Sequence, residues 1–166
     1  MTTLEDEWSR VARSAVHLET RDNYAPGEAF CAWRDGRAAE AADAYRGWAD
    51  LMRAASARGV VVRRARIVSE PVSEYVRFEH DVTGAVNLAG GELVRWLPRR
   101  LASDLLLPGN DFWIFDGAWG KFNHFAGDGG GTGPEPIEDP RIVEQCLAAF
   151  EAVWQRATPH EEYKPV

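Results

Sequence analysis

The sequence predicts an α/β domain: a mixed sheet of about five strands flanked by helices. Three observations carry this. Short β-branched or aromatic runs, such as VVVRRARIV at 60–68 and DFWIFD at 111–116, alternate with longer stretches of helical periodicity. DFWIFD is apolar on both faces, as a central strand covered by helices on each side must be. The 166 residues, 45% of them hydrophobic, suffice for one domain with a sizeable core.

Taken in order, Thr3 precedes LEDEWSRVARSA, where Leu4, Trp8, Val11, Ala12 and Ala15 recur at helical spacing behind an acidic first turn. In AVHLETRDNY, Val16 and Leu18 alternate with polar residues, which predicts a short strand before a loop through Pro26 and Gly27. EAFCAWRDG predicts a short helix or an irregular turn ending at Gly36. RAAEAADAYRGWADLMRAASARG predicts one helix with Ala41, Tyr45, Trp48, Met52 and Ala55 on a stripe and Gly59 as its stop. The run 60–68 is a strand. Ser69 and Pro71 then open a helix with Tyr75, Phe78, Val82, Ala85 and Ala89 on one face. ELVRWL is a strand, and PRRLASDLLLP gives one or two helical turns. In DFWIFD, Phe112 and Ile114 face one side and Trp113 and Phe115 the other. Asp116-Gly117 is a turn signal, and GKFNHFA supplies the antiparallel partner. GDGGGTGPEP reads as a flexible loop leaving the sheet. Asp139 caps and Pro140 starts a C-terminal helix assigned to 137–157, and 158–166 reads as a loose tail. Residues 1–166 form a single domain on this reading.

The formal net charge of -7 argues against direct nucleic-acid binding, which needs a basic footprint. The 2 cysteines, Cys31 and Cys146, make no metal-ligand spacing, and Cys146 falls on a helix stripe. No leader or membrane-spanning run is evident, so the expected location is cytoplasmic, with no membrane partner. The 7 tryptophans are many for this length, and some should line a cleft.

Three groups of residues compete for function. The glycine run after Phe125 has the composition of a phosphate cradle, yet no Gly-Lys-Ser/Thr closes it, so a surface loop is the better reading. Asp111, Asp116, Asn123, His124 and Asp128 carry metal-binding or acid/base chemistry, but Asp116 is expected at a turn and the spacing matches no ligand set. No metal or cofactor is expected. The third group is RARIVSEPVSEYVRFEHD, where a strand ends and a helix begins, the place where α/β sheets gather ligands. Arg64 and Arg66 share a strand face, and Glu70, Tyr75, Arg77 and Glu79 follow. HLETRDNY adds Glu19, Arg21 and Tyr24 at another strand end. A structural ion-pair network is the plainer reading of these charges.

RRARIVSEPVSEYVRFEHD, GGELVRWLPRR, LPGNDFWIFDG, FNHFAGDG and the FEAVW of the last helix resemble a domain family of unknown function common in actinobacterial genomes. The likeness covers nearly the whole chain. Its members resemble genes often found beside helix-turn-helix regulators, which implies a regulatory or small-molecule-sensing accessory. The order of elements also looks like one half of a phospholipase D-like fold. Active members of that group use His-x-Lys, and none of His17, His80, His124 or His160 has Lys two positions later. The nucleophilic machinery that this resemblance implies is therefore missing.

The expected function is non-catalytic: binding of a small ligand or a protein partner, such as a DNA-binding regulator of helix-turn-helix type. The expected site comprises Arg66, Glu70, Tyr75, Arg77 and Glu79, with Trp113, Asp116 and His124 opposite and Glu19 and Arg21 nearby. Arginines would hold an anion, carboxylates an amine or the arginines themselves, and aromatics a flat group. The alternative is a small hydrolase or transferase using His124 with Asp116 or Glu79 as acid and base. The sequence leaves the ligand and the oligomeric state open.

Overall fold

Acids crowd the first turn of α1 (Leu4–Ser9), where they suit the helix dipole. Thr3 Oγ accepts from the Asp6 amide and the Asp6 carboxylate accepts from the Thr3 amide, both at 3.1 Å, closing a capping box. The computed structural model describes residues 3–166. Its further elements are β1 (Ser14–Glu19), α2 (Glu28–Arg34), α3 (Ala38–Asp43), α4 (Arg46–Ala57), β2 (Val61–Val68), α5 (Glu74–Thr83), β3 (Leu93–Pro98), β4 (Asp111–Phe115), β5 (Trp119–Phe125), β6 (Gly131–Ile137), α6 (Pro140–Arg156) and β7 (Thr158–Pro159).

The strands form one mixed seven-stranded sheet in the order β6-β5-β4-β1-β2-β3-β7. β1, β2 and β3 run parallel and are joined by helical crossovers, while β4, β5, β6 and β7 pair antiparallel. The fold is thus α/β, with two more strands than the sequence reading expected.

Strand periodicity sorts the side chains into two layers. Val16, Leu18, Ala65, Ile67, Phe112 and Ile114 meet the Val143, Cys146, Phe150 and Val153 stripe of α6 in a dry core. On the other face, Trp113 and Phe115 join Trp8, Met52 and Ala55 of α1 and α4. Further along that same face come His17, Glu19, Arg64 and Arg66, all buried under the helices. DFWIFD is therefore the central, doubly covered strand its pattern predicts. β5 follows through a tight turn in which Asp116 takes a positive φ of 53°.

Five expectations need correction. The first helical stripe, expected to reach Ala15, stops short: α1 ends at Ser9 and Ala15 lies in β1. The helix expected from Ser69 starts at Glu74, because the Ser73 hydroxyl, not Ser69, caps it by accepting from the Val76 amide at 3.1 Å. The long Ala-rich helix is two, α3 and α4, interrupted at Ala44 and Tyr45. The glycine run is no free loop. Residues 131–137 add edge strand β6 to β5, with Pro134 opposite Asn123 and Pro136 opposite Lys121. The turn before it is pinned: Gly129, at φ 89°, accepts from the Ala25 amide at 3.0 Å, and a Cβ there would lie 2.8 Å from that nitrogen. Finally, 158–166 is docked rather than loose. Thr158 and Pro159 pair with β3, Tyr163 stacks on Trp96 at 5.5 Å, and the Val72 amide donates to the Val166 carbonyl at 2.7 Å.

Candidate functional site

The buried charges converge because parallel register sets them side by side. His17 lies beside Arg64 and Glu19 beside Arg66 across β1 and β2, and His17 faces Trp113 across β1 and β4. Above the C-terminal ends of these strands opens a cavity of about 440 Å³, within the size range of small-molecule sites.

Most of the charge at its base is internally satisfied. Glu19 pairs with Arg64 through one carboxylate oxygen and accepts from Arg66 Nε at 2.6 Å through the other, while His17 Nε2 lies 3.1 Å away. Burial alone would raise the Glu19 carboxyl, but Arg66, Arg64 and His17 outweigh it and hold it well below the ordinary range. Arg64 Nε also donates to Glu92 at 2.8 Å, and its guanidinium lies within cation–π distance of both Trp48 and Trp113. Glu92 further accepts from Trp48 Nε1 at 2.5 Å and from Asn87 Nδ2 at 2.8 Å. Asn87 reaches it because α5 runs on into a π-helical turn, Gly84–Leu88. Arg66 Nη1 donates to Thr83 at 2.7 Å. Asp111 accepts from the amide and hydroxyl of Thr20, each at 2.8 Å, and from the Tyr24 hydroxyl at 2.5 Å. Burial and the nearby carboxylates Glu19 and Asp111 raise the Tyr24 phenol, which stays a donor.

Glu79 differs. It lines the cavity, yet its carboxyl has no hydrogen-bond or ion-pair partner among the described residues. Burial first, then the charge of Glu19, push it up to about 8 against the pull of Arg66. Rings enclose the same space: Tyr24, Tyr45 and Tyr75 from the connecting segments and α5, with Phe78 and Phe125. Tyr24 is tilted against Tyr75 at 5.7 Å and edge-on to Phe125 at 5.1 Å.

Of the ten residues of the expected site, Glu19, Arg66, Tyr75, Glu79 and Trp113 line the cavity, as do Tyr24, Arg64, Asp111 and Asn123 from the neighbouring candidate groups. The other five do not. Glu70 accepts from Tyr163 at 3.1 Å and helps hold the C-terminal segment. Arg77 is exposed on α5. Arg21 lies over the Phe125 ring at 5.1 Å. Asp116 accepts from the amides of Ala12, Arg13 and Ser14 at 2.7 to 2.9 Å, a structural cap for the entry to β1. His124 meets Glu135 across the β5–β6 hairpin at 2.7 Å, exposed. The alternative acid/base set of His124, Asp116 and Glu79 is thus spread over three places, with Glu79 alone in the cavity.

Sequence reasoning gives no site role to His17, Glu92, Trp48 and Asn87, and places Asp111 in a metal-binding or acid/base group. The parity of His17 with Glu19 was a usable signal, whereas Glu92 reaches Arg64 only through the turn that follows α5. Among the described residues no group of three His, Cys, Asp or Glu is placed to hold a metal ion. The glycine turn offers no anion cradle. The Gly129 amide donates to Ala126 and the Gly130 amide to Asp128, each at 2.9 Å. A search of curated proteins found no match. A family model for a domain of unknown function, DUF6879, matches residues 2–165, and the chain belongs to that family.

Proposed function

We propose that this domain is a non-catalytic small-ligand-binding accessory, and that the cavity above β1 and β2 is its binding site. The observation that carries the reading is the contrast within the cavity. Glu19, Arg64, Glu92 and Asp111 are consumed by one another, by Trp48 and by Tyr24, whereas Glu79 faces the cavity unpartnered among aromatic rings. A few free polar groups within apolar walls are what orient a small molecule. With a net charge of -7, contact with DNA would fall to a partner, and a helix-turn-helix regulator is the partner we propose.

One observation favours a second reading, catalysis by Glu79: a carboxyl pushed up to about 8 transfers protons effectively near neutral pH. One experiment separates the two. Purified full-length chain is dialysed to equilibrium against the small-molecule fraction of a cell extract, and retained compounds are identified by mass spectrometry. Binding predicts compounds held unchanged by the wild type and released by Glu79→Gln and Tyr75→Leu. Conversion of a retained compound would establish the enzymatic reading, and retention of nothing would overturn both.

A further inference from the structure

We propose that the group this cavity recognises is an organic cation, an amine or quaternary ammonium, seated against Glu79 inside the rings of Tyr24, Tyr45, Tyr75 and Phe125. The inference rests on the ligand-binding reading and narrows it to a chemical class.

Charge balance gives the first argument. The cavity wall and the layer behind it hold the carboxyls of Glu19, Glu79, Glu92 and Asp111 against the guanidiniums of Arg64 and Arg66 alone. Both arginines are already committed. Arg64 bridges Glu19 and Glu92, and Arg66 joins Glu19 to Thr83. An anion would have to compete with Glu19 for them. A cation meets Glu79, whose carboxyl neither arginine hydrogen-bonds.

The walls point the same way. Tyr24, Tyr45, Tyr75 and Phe125 line the same cavity as Glu79. Aromatic faces attract cations through their quadrupoles, and a desolvated ring cage recognises ammonium groups that are too bulky or too weak as donors for a purely hydrogen-bonded site. The protein already uses this device on the same sheet face, where Arg66 lies 4.9 Å from the Trp96 ring centre.

The third argument is desolvation. An empty site holds Glu79 with its proton, because burial penalises the bare carboxylate. A bound cation supplies the missing countercharge. The proton leaves to solvent and the ion pair forms in a half-open cavity with aromatic walls, where it is stronger than in bulk water.

The test uses three probes of one shape: benzyltrimethylammonium, its neutral isostere neopentylbenzene and the anion phenylmethanesulfonate. Each is titrated into the full chain and followed by quenching of tryptophan emission, since Trp48 and Trp113 line the cavity. The cation should bind at least tenfold more tightly than either other probe. Glu79→Gln should remove at least tenfold of that affinity, and because Glu79 bonds to no protein group, the variant should fold at least as stably as the wild type. Tyr75→Leu, a second variant in case the first is unstable, should weaken the cation more than the neutral isostere. Preference for the anion or the neutral probe would overturn the cation assignment while leaving the cavity a binding site. Failure of all three probes would also overturn it, with the dialysis experiment deciding the broader reading independently.

Discussion

Glu19, buried, and Glu79, half-buried, are two carboxyls on one cavity with opposite fates, and the difference lies in their partners. Glu19 is ion-paired to two guanidiniums and stays ionised, whereas Glu79 bonds to neither and holds its proton. Replacing Glu19 with Gln leaves buried Arg66 without an ion-pair partner and Arg64 with Glu92 alone. The expected loss is about 3–5 kcal/mol, as for one partner removed from a buried ion pair, read from urea denaturation. Glu79 makes a prediction in pH. Below 4.5, the ordinary value, both folded and unfolded chains hold its proton. Between 4.5 and about 8 only the folded chain does, so its contribution to stability falls as pH rises through that window and is flat above it. Urea midpoints at about pH 6 and about pH 8.5 should therefore draw apart more in the wild type than in Glu79→Gln. Equal separations would show that Glu79 is already ionised at neutrality.

At the scale of elements, β4 is the strand most legible in the sequence, because two-sided apolarity before Asp-Gly has few other meanings. Phe115 packs among Trp8, Trp113 and Trp119 and is fully buried. Phe115→Ala should cost about 3–5 kcal/mol in chemical denaturation, the range for deleting a buried aromatic ring. β6 was illegible for the converse reason. GTGPEPI has almost no strand propensity of its own and is extended because β5 offers it a ladder. The C-terminal segment was missed likewise, since Tyr163 is buried by Trp96, far away in sequence. The same logic divides the site. Glu19, Arg66, Tyr75, Glu79 and Trp113 could be chosen because parity and strand ends are local signals, while Asn87 and Glu92 enter through a π-helical turn that no spacing announces. The docked segment carries its own test. His80 and His160 are both depressed, chiefly by burial, and their rings lie 4.6 Å apart. His160 Nδ1 accepts from Trp96 at 3.1 Å. Their neutral forms stabilise docking above the ordinary 6.5, and that support is lost as pH falls through their lowered values. Hydrogen exchange across 158–166 should therefore speed up, after correction for intrinsic rates, at about pH 5 relative to about pH 7.5, ahead of the strands that pack on α6. Protection unchanged at the lower pH would mean that the histidines do not hold this segment.

For the molecule as a whole, no helix among the described residues is long and apolar enough to cross a membrane. The charge of -7 predicts no salt-sensitive affinity for duplex DNA by the purified chain alone, and a shifted band in a gel assay at physiological salt would refute that. The two ends of the sheet have a consequence of another kind. Pro134 and Pro136 are two residues apart on the outermost strand, so both imide nitrogens sit on the side turned away from β5 and have no hydrogen to donate. At the opposite end, β7 is two residues long and one of them is Pro159. Both borders are thus poor templates for a further strand from a neighbouring molecule, so this sheet resists edge-to-edge growth although it is not a barrel.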